Sequence, residues 1–426
     1  MTITTGQVKP KLPTNYRWVI CALLFAAIVI NYIHRQTFAL LKDSLQHEYG
    51  LNENGYAQIV VSFQVAYAIG YIGFGRILDK LGARTGYGIA FVLWNLSHIA
   101  AGLTTTVLQF TISRIGLGLG ESGSFPASIK AVTEWFPQKE RAQAIGIFNA
   151  GSNVGAIVAP LIVPILTAAW GWRSSFIVTG GLGLLWVIAW IKLYKRPQEH
   201  EKVSPEELAY IQSNPADPVN PIAWWKLFIT KETWVFASAK FLTDPIWWFY
   251  LFWLPDFLKK TYHMDLKSFG PPLVVIYLIS DFGSVLGGWT SSTLIKRGVS
   301  VNIARKLTLL LFALMVLPVF LVDGVKNVWM AVFYIGIATA AHQAFSANLY
   351  ALPSDLFPRS AVGTVIGIGG TAGAIGGILF SLLVGQILQV THSYKVLFII
   401  AGSVYLISLL LIHLLSPDLK RNVQPS

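Results

Sequence analysis

The sequence predicts an all-α membrane protein whose twelve transmembrane helices form two pseudo-symmetric six-helix bundles. Three observations carry that expectation. Of 426 residues, 54% are hydrophobic and 12% charged, against roughly 25% charged in a soluble globular domain. So little polar surface cannot wrap so apolar a core. Runs long enough to cross a hydrocarbon layer of about 30 Å as helices of roughly 20 residues recur at 17–41, 55–78, 85–105, 107–133, 141–168, 173–193, 232–258, 269–294, 304–322, 327–352, 361–388 and 393–415. Finally, "WFPQKERAQAIGIFNAGSNVGA" at 135–156 aligns with "LFPRSAVGTVIGIGGTAGAIGG" at 356–377 at a constant offset of 221, matching the fifth span to the eleventh.

These observations divide the chain into an N-terminal bundle over 1–193, a linker over 194–231 and a C-terminal bundle over 232–426. The polar N-terminus, with no small-residue cleavage site after a short apolar core, gives no sign of a cleavable leader. Cys21 is the single cysteine, so no intrachain disulfide is expected. The linker is charged and proline-rich, and Ser204, Pro205 and Glu207 form the start signal of one short helix. Lys and Arg concentrate on the side that holds the termini, the linker and the loops after even-numbered spans. That bias predicts cytoplasmic termini and accounts for the net charge of +12. The expected environment is therefore a lipid bilayer, with no call for nucleic acid. Two parallel six-helix repeats with a site between them suit a carrier that rocks one half against the other.

Between the second and third spans stands "GRILDKLGAR", residues 75–84. Gly75 and Gly82 permit a tight, close-packed turn, Asp79 can accept hydrogen bonds from a facing helix N-terminus, and Lys80 and Arg84 complete the charges. The spacing is that of the G-x-x-x-D-[RK]-x-G-x-[RK] signature, and with it the chain resembles the major facilitator superfamily. The resemblance implies that this loop is a gate element.

Charges inside spans are costly, so they face an interior and find partners. The candidates are His34, Arg35, Arg114, Glu121, Lys130, Lys240, Asp244 and Asp281. Arg114 and Glu121 stand seven residues apart, on about one helix face, with Ser128 extending the stripe. Gly116, Gly118, Gly120 and Gly123 between or beside them favour close helix packing over a ligand approach. Glu121 is caught between desolvation, which favours the neutral acid, and neighbouring arginines, which favour the anion. It is therefore the candidate proton-coupling group. Arginine in the first and fourth spans points to a carboxylate ligand, which a guanidinium fork matches; permanent pairing of Arg35 with Glu121 is the alternative. Tyr32 shares nearly the face of Arg35. Asn149 and Ser152 with Asn153 in the fifth span, Trp247, Trp248 and Tyr250 in the seventh, and Gln343 and Asn348 in the tenth complete the substrate-binding candidates. His342 is equivalent to Glu121 by the 221 offset. Lys240 and Asp244, at i and i+4, are expected to pair within their helix.

The segments "NYIHRQ" at 31–36, "GLGLGESGSFPASIKAVTEWFP" at 116–137, "GIFNAGSNVGAIVAP" at 146–160, "TDPIWWFYLFWLP" at 243–255 and "AHQAFSANLYALPSDLFP" at 341–358 narrow the resemblance. Together they are similar to the anion:cation symporter family and its hexuronate branch, whose members move glucuronate or galacturonate inward with protons. Arg35, Arg114 and Glu121 match that family. His34 departs from it, replacing an aspartate implicated there as a second proton carrier. Three readings stay open for His34: a histidine that still relays a proton, a lost carrier with altered stoichiometry, or an introduced change that arrests the cycle. A neutral, simply hydrogen-bonded histidine is as consistent with the sequence as a relay. The resemblance further implies a monomer in a bacterial inner membrane, driven by a proton gradient without cofactor or metal. No H-E-x-x-H, no Cys/His cluster and no P-loop argues for an enzyme or an ATP-driven pump. The rival readings are a carrier for aldonates or other carboxylates, and an anion-binding sensor that does not transport.

Overall fold

The computed structural model describes residues 14–213, 224–265, 268, 270–357 and 359–419. These residues form α1 (Tyr16–Leu40), α2 (Lys42–Tyr49), α3 (Glu53–Ala101), α4 (Val107–Ser122), α5 (Ser124–Trp135), α6 (Gln138–Trp170), α7 (Trp172–Leu193), α8 (Pro205–Ile211), α9 (Trp224–Phe228), α10 (Lys231–Tyr262), α11 (Gly270–Lys296), α12 (Val301–Val316), α13 (Val328–Leu356), α14 (Arg359–Thr391) and α15 (Lys395–Leu415). Eight passages are long and apolar enough to cross a membrane by themselves: α1, α6, α7, α11, α12 with its continuation to Gly324, α13, α14 and α15. α3 supplies two more, the α4–α5 pair one, and α10 the last. The fold is thus an all-helical, twelve-passage bundle.

Several boundaries differ from the sequence expectation for local reasons. Spans two and three join into the single run α3, bent at Gly82, whose φ of 75° and ψ of 171° strain any residue with a Cβ. Span four breaks at Gly123 into α4 and α5. Span nine tightens into a 3₁₀ turn at Leu317–Gly324, where Pro318 removes a donor. The amphipathic α2, unanticipated from the sequence, follows span one and ends at Gly50 in the left-handed region.

Ser204 caps α8 as expected, accepting from the Glu207 amide at 3.2 Å. The Glu207 carboxylate does not close the box, however. It accepts from the backbone N–H groups of Tyr16 at 3.1 Å and Arg17 at 3.2 Å, and from the Arg17 guanidinium at 3.1 Å. A linker carboxylate therefore caps the unsatisfied first turn of α1. Residues 214–223 of the anticipated linker lie outside the described residues.

Two sets of helices pack internally in matching ways. α1 lies on α6 as α10 lies on α14, and the α3–α4 contact is repeated by α11–α13. The sets meet along α3–α14, α6–α11 and α1–α10. The 221 offset reappears in this packing. A Cβ on Gly155 would collide with the Val29 carbonyl on α1, and one on Gly376 with the Phe241 carbonyl on α10.

The bundle has a terminal end, with the N-terminus of α1 and the C-terminus of α15, and a far end. Ion pairs joining the two sets gather at the far end. Lys42 lies 2.7 Å from both Glu53 and Asp256, while Lys260 lies 2.6 Å from Glu53 and 3.2 Å from Asp256. The Tyr394 hydroxyl donates to Asp256, and the Glu53 amide donates to Gln389 at 3.2 Å. Lys42 and Asp256 are almost wholly buried, so this end is sealed.

Candidate functional site

Midway along the bundle, Arg35 donates through Nε to Glu121 Oε2 at 2.7 Å, joining α1 to α4. Glu121 is completely buried and Arg35 nearly so. Four rings surround the Arg35 guanidinium carbon: Tyr67 at 5.0 Å, Tyr32 at 5.3 Å, and Phe63 and Trp248 at 5.5 Å each. The first three come from α1 and α3, whereas Trp248 reaches across from α10. Arg35 thus stands where the two sets of helices meet, in a cation–π box.

Arg114 lies 4.9 Å from the centre of Phe63 and 4.4 Å from that of Phe38. Phe63 is therefore shared by both guanidiniums. None of the three Arg114 nitrogens has a hydrogen-bond partner among the described residues, and Glu121 Oε1 likewise has none. Two guanidiniums with one carboxylate leave one positive charge uncompensated within this trio. A buried arginine without an acceptor is an expensive arrangement, and a carboxylate is the group that best answers it.

His34 points elsewhere. Its ring stacks on His98 of α3, centroids 3.7 Å apart and planes 14° from parallel. His98 Nε2 lies 3.0 Å from Thr179 Oγ1 on α7, while neither ring nitrogen of His34 has a partner among the described residues. Consecutive residues of α1 therefore serve different neighbours, Arg35 the space between the sets and His34 the interior of one set. His98 is absent from the sequence candidates, although an ionisable residue inside an apolar run is the signal that singled out the others.

The remaining candidates separate. Ser128, expected on the Arg114–Glu121 stripe, is carried away by the Gly123 break and donates to Tyr87 at 3.2 Å. Gly118 and Gly120 admit the α3 backbone at Phe63 and Trp94, so helix packing is their role here. Trp248 rather than Trp247 meets Arg35; Trp247 stacks on His342 at 5.4 Å, and His342 Nδ1 lies 2.7 Å from the Tyr405 hydroxyl. Tyr250 is fully enclosed, its ring against Phe249. Asn348 is corrected from ligand contact to scaffold: its amide donates to the carbonyls of Gly287 at 2.8 Å and Ala344 at 2.9 Å, and its oxygen accepts from Arg305. Asn149 is exposed on α6, and Ser152 turns back to donate to the Asn149 carbonyl at 2.7 Å. Asn153 donates to Asp281 of α11, a further link between the sets. Gln343 is half-buried on α13. Lys240 and Asp244 pair at 2.7 Å, as their spacing predicts.

Of the gate motif, Gly82 makes the bend, Lys80 is exposed, and Arg84 donates to the Ile191 carbonyl at 2.8 Å. The Asp79 side chain lies outside the described residues, and Gly75 falls within α3.

The sequence model described as Major Facilitator Superfamily matches residues 24–381, with a second match over 303–426. The chain is 31% identical over 378 residues to the hexuronate transporter of Escherichia coli (strain K12), covering 87% of each. It is 32% identical over 308 residues to the galacturonate transporter of Dickeya chrysanthemi, covering 71% of this chain and 89% of that one. The crystal structure of a D-xylose-proton symporter matches with a TM-score of 0.77 over 95% of this chain and 99% of that chain, at 15% identity. That last likeness is one of fold alone.

Proposed function

The chain belongs to the major facilitator superfamily, and from that premise we propose that it is a secondary carrier moving a hexuronate monoanion, such as glucuronate or galacturonate, together with protons. The observation that carries the proposal is the charge imbalance of the site, where Arg35, inside an aromatic box, holds the single carboxylate of Glu121 and Arg114 is left without an acceptor among the described residues. A substrate carboxylate matches the remaining positive charge, and the aromatic rings suit the apolar face of a sugar.

Coupling follows from the same pair. While Glu121 is ionised it occupies Arg35. Protonation of Glu121 frees the guanidinium for the incoming carboxylate, so proton and anion enter as a neutral combination. Protonation alone leaves the buried Arg35 without its acceptor, at a cost of about 3–5 kcal/mol, which disfavours movement of the halves with the proton but no anion bound. One proton with one monoanion feels only the pH gradient; a second proton adds about 2.3 kcal/mol per 100 mV. The stacked His34–His98 pair is the candidate for that second step. Two six-helix halves, residues 1–193 and 232–426, rock about this site, and the 194–231 linker joins them. The Lys and Arg bias supports cytoplasmic termini, which puts the sealed far end outside, in a bacterial inner membrane. A monomer without cofactor suffices for this cycle.

The test is uptake of labelled glucuronate by purified protein in liposomes, with and without an inward proton gradient. Gradient-driven accumulation is expected for the parent, and its loss for Glu121→Gln. A parent that binds glucuronate without accumulating it would overturn the symport reading. Recovery of accumulation by His34→Asp would then identify His34 as the arresting residue.

A further inference from the structure

The Lys240–Asp244 pair of α10 takes no part in the coupling just described, and it lies one turn from Trp248, which meets Arg35. Lys240 Nζ lies 2.7 Å from Asp244 Oδ1 and donates to the Tyr350 hydroxyl of α13 at 2.8 Å. The two charges are unequally placed: the Lys240 side chain is 3% exposed and that of Asp244 21%. The ammonium is buried, whereas the carboxylate, lying against Gly373 of α14, keeps part of its surface exposed.

Trp248, one turn beyond Asp244 on α10 and on the same helix face, meets the Arg35 guanidinium at 5.5 Å. Tyr67, which also lies against Arg35, is followed by Tyr71, with ring centroids 6.1 Å apart. On α13 the Tyr350 hydroxyl holds Lys240. The contact of Trp248 with Arg35 crosses between the two sets of helices, so the face of α10 that carries Asp244 looks toward the place where they meet.

We propose that Asp244 is a specificity-determining residue that restricts the cargo to sugar acids with a single carboxylate. The proposal rests on the sugar-acid reading above. A molecule whose carboxylate engages the arginines of α1 and α4 turns its other end toward α10. Asp244 accepts hydrogen bonds from hydroxyls there, and it repels a second carboxylate. Six-carbon monoacids are therefore taken and six-carbon diacids turned away, through a repulsive element rather than a better attractive one.

The experiment is competition of unlabelled glucuronate and unlabelled glucarate against labelled glucuronate uptake by the full chain in liposomes. For the parent, glucuronate is expected to compete at least about tenfold better than glucarate. In Asp244→Asn that gap is expected to shrink by about tenfold. Because this change leaves Lys240 without its carboxylate, the double variant Lys240→Gln/Asp244→Asn is measured beside it and is expected to narrow the gap likewise. Where uptake by a variant is too slow, thermal stabilisation of the purified protein by each acid reads the same preference without turnover. Equal competition by both acids in the parent overturns the proposal, as does full parental preference in both variants. Failure of the parent to take up or bind either acid overturns the sugar-acid reading itself, and this proposal with it.

Discussion

Tyr67 carries no formal charge and was not among the residues anticipated from sequence, yet it forms one wall around Arg35 at 5.0 Å. A cation–π contact of this kind contributes about 0.5–2 kcal/mol. Tyr67→Ala is therefore expected to raise the KM for glucuronate between about twofold and about thirtyfold, with little change in kcat, as initial-rate uptake would show. A kcat loss without a KM change would contradict that role. Arg35, Arg114 and Glu121 were legible because a charge within an apolar run has few reasons to be there. Phe63 and Tyr67 were not, since an aromatic residue in a membrane span is ordinary until a guanidinium is placed beside it. Asn348 misled for the opposite reason. Its polarity inside a span signals an interior partner, but that partner is the backbone of α11 rather than a ligand.

At the scale of elements, helix-to-helix distance is set by glycines that leave no room for a side chain. Gly155→Val is expected to push α1 from α6 at the Val29 carbonyl, lowering stability by about 1–3 kcal/mol; Gly376→Val does the same between α10 and α14. Thermal unfolding in detergent checks both, and unchanged melting of either variant would refute the close-approach argument for that pair. Most passages were legible from length and apolarity, because a bilayer demands about 20 apolar residues in a row. The Gly123 break was not. Glycine within a helix is compatible with continuation, and only the approach of Phe74 and Ala90 shows what the residue accommodates. The Glu207 cap of α1 was hidden for a related reason: a capping box is a local pattern, whereas the donors Glu207 satisfies lie 190 and 191 residues away.

For the whole molecule, the two halves were visible in the 221-residue repeat, but the sealed end was not. Its charges sit near the ends of α1, α3 and α10, and each reads alone as an ordinary loop-proximal residue. Removing one member of the buried network should favour opening. Asp256→Asn is expected to raise the labelling rate of a cysteine placed at Gln36, a fully buried residue of α1 that donates across the sets to Tyr277 of α11, in a Cys21→Ser background, by at least about tenfold with a membrane-impermeant maleimide. No increase would mean that the network does not hold the far end shut. The way its charges are shared has a further consequence. Lys42 and Glu53 belong to one half, and Asp256 and Lys260 to the other, and each lysine touches both carboxylates. When the halves part, each keeps one complete cation–anion couple of its own, so no charge is stranded in the opening mouth. Opening is then an exchange of partners with no net separation of charge, and a membrane voltage has little purchase on the protein's own gate.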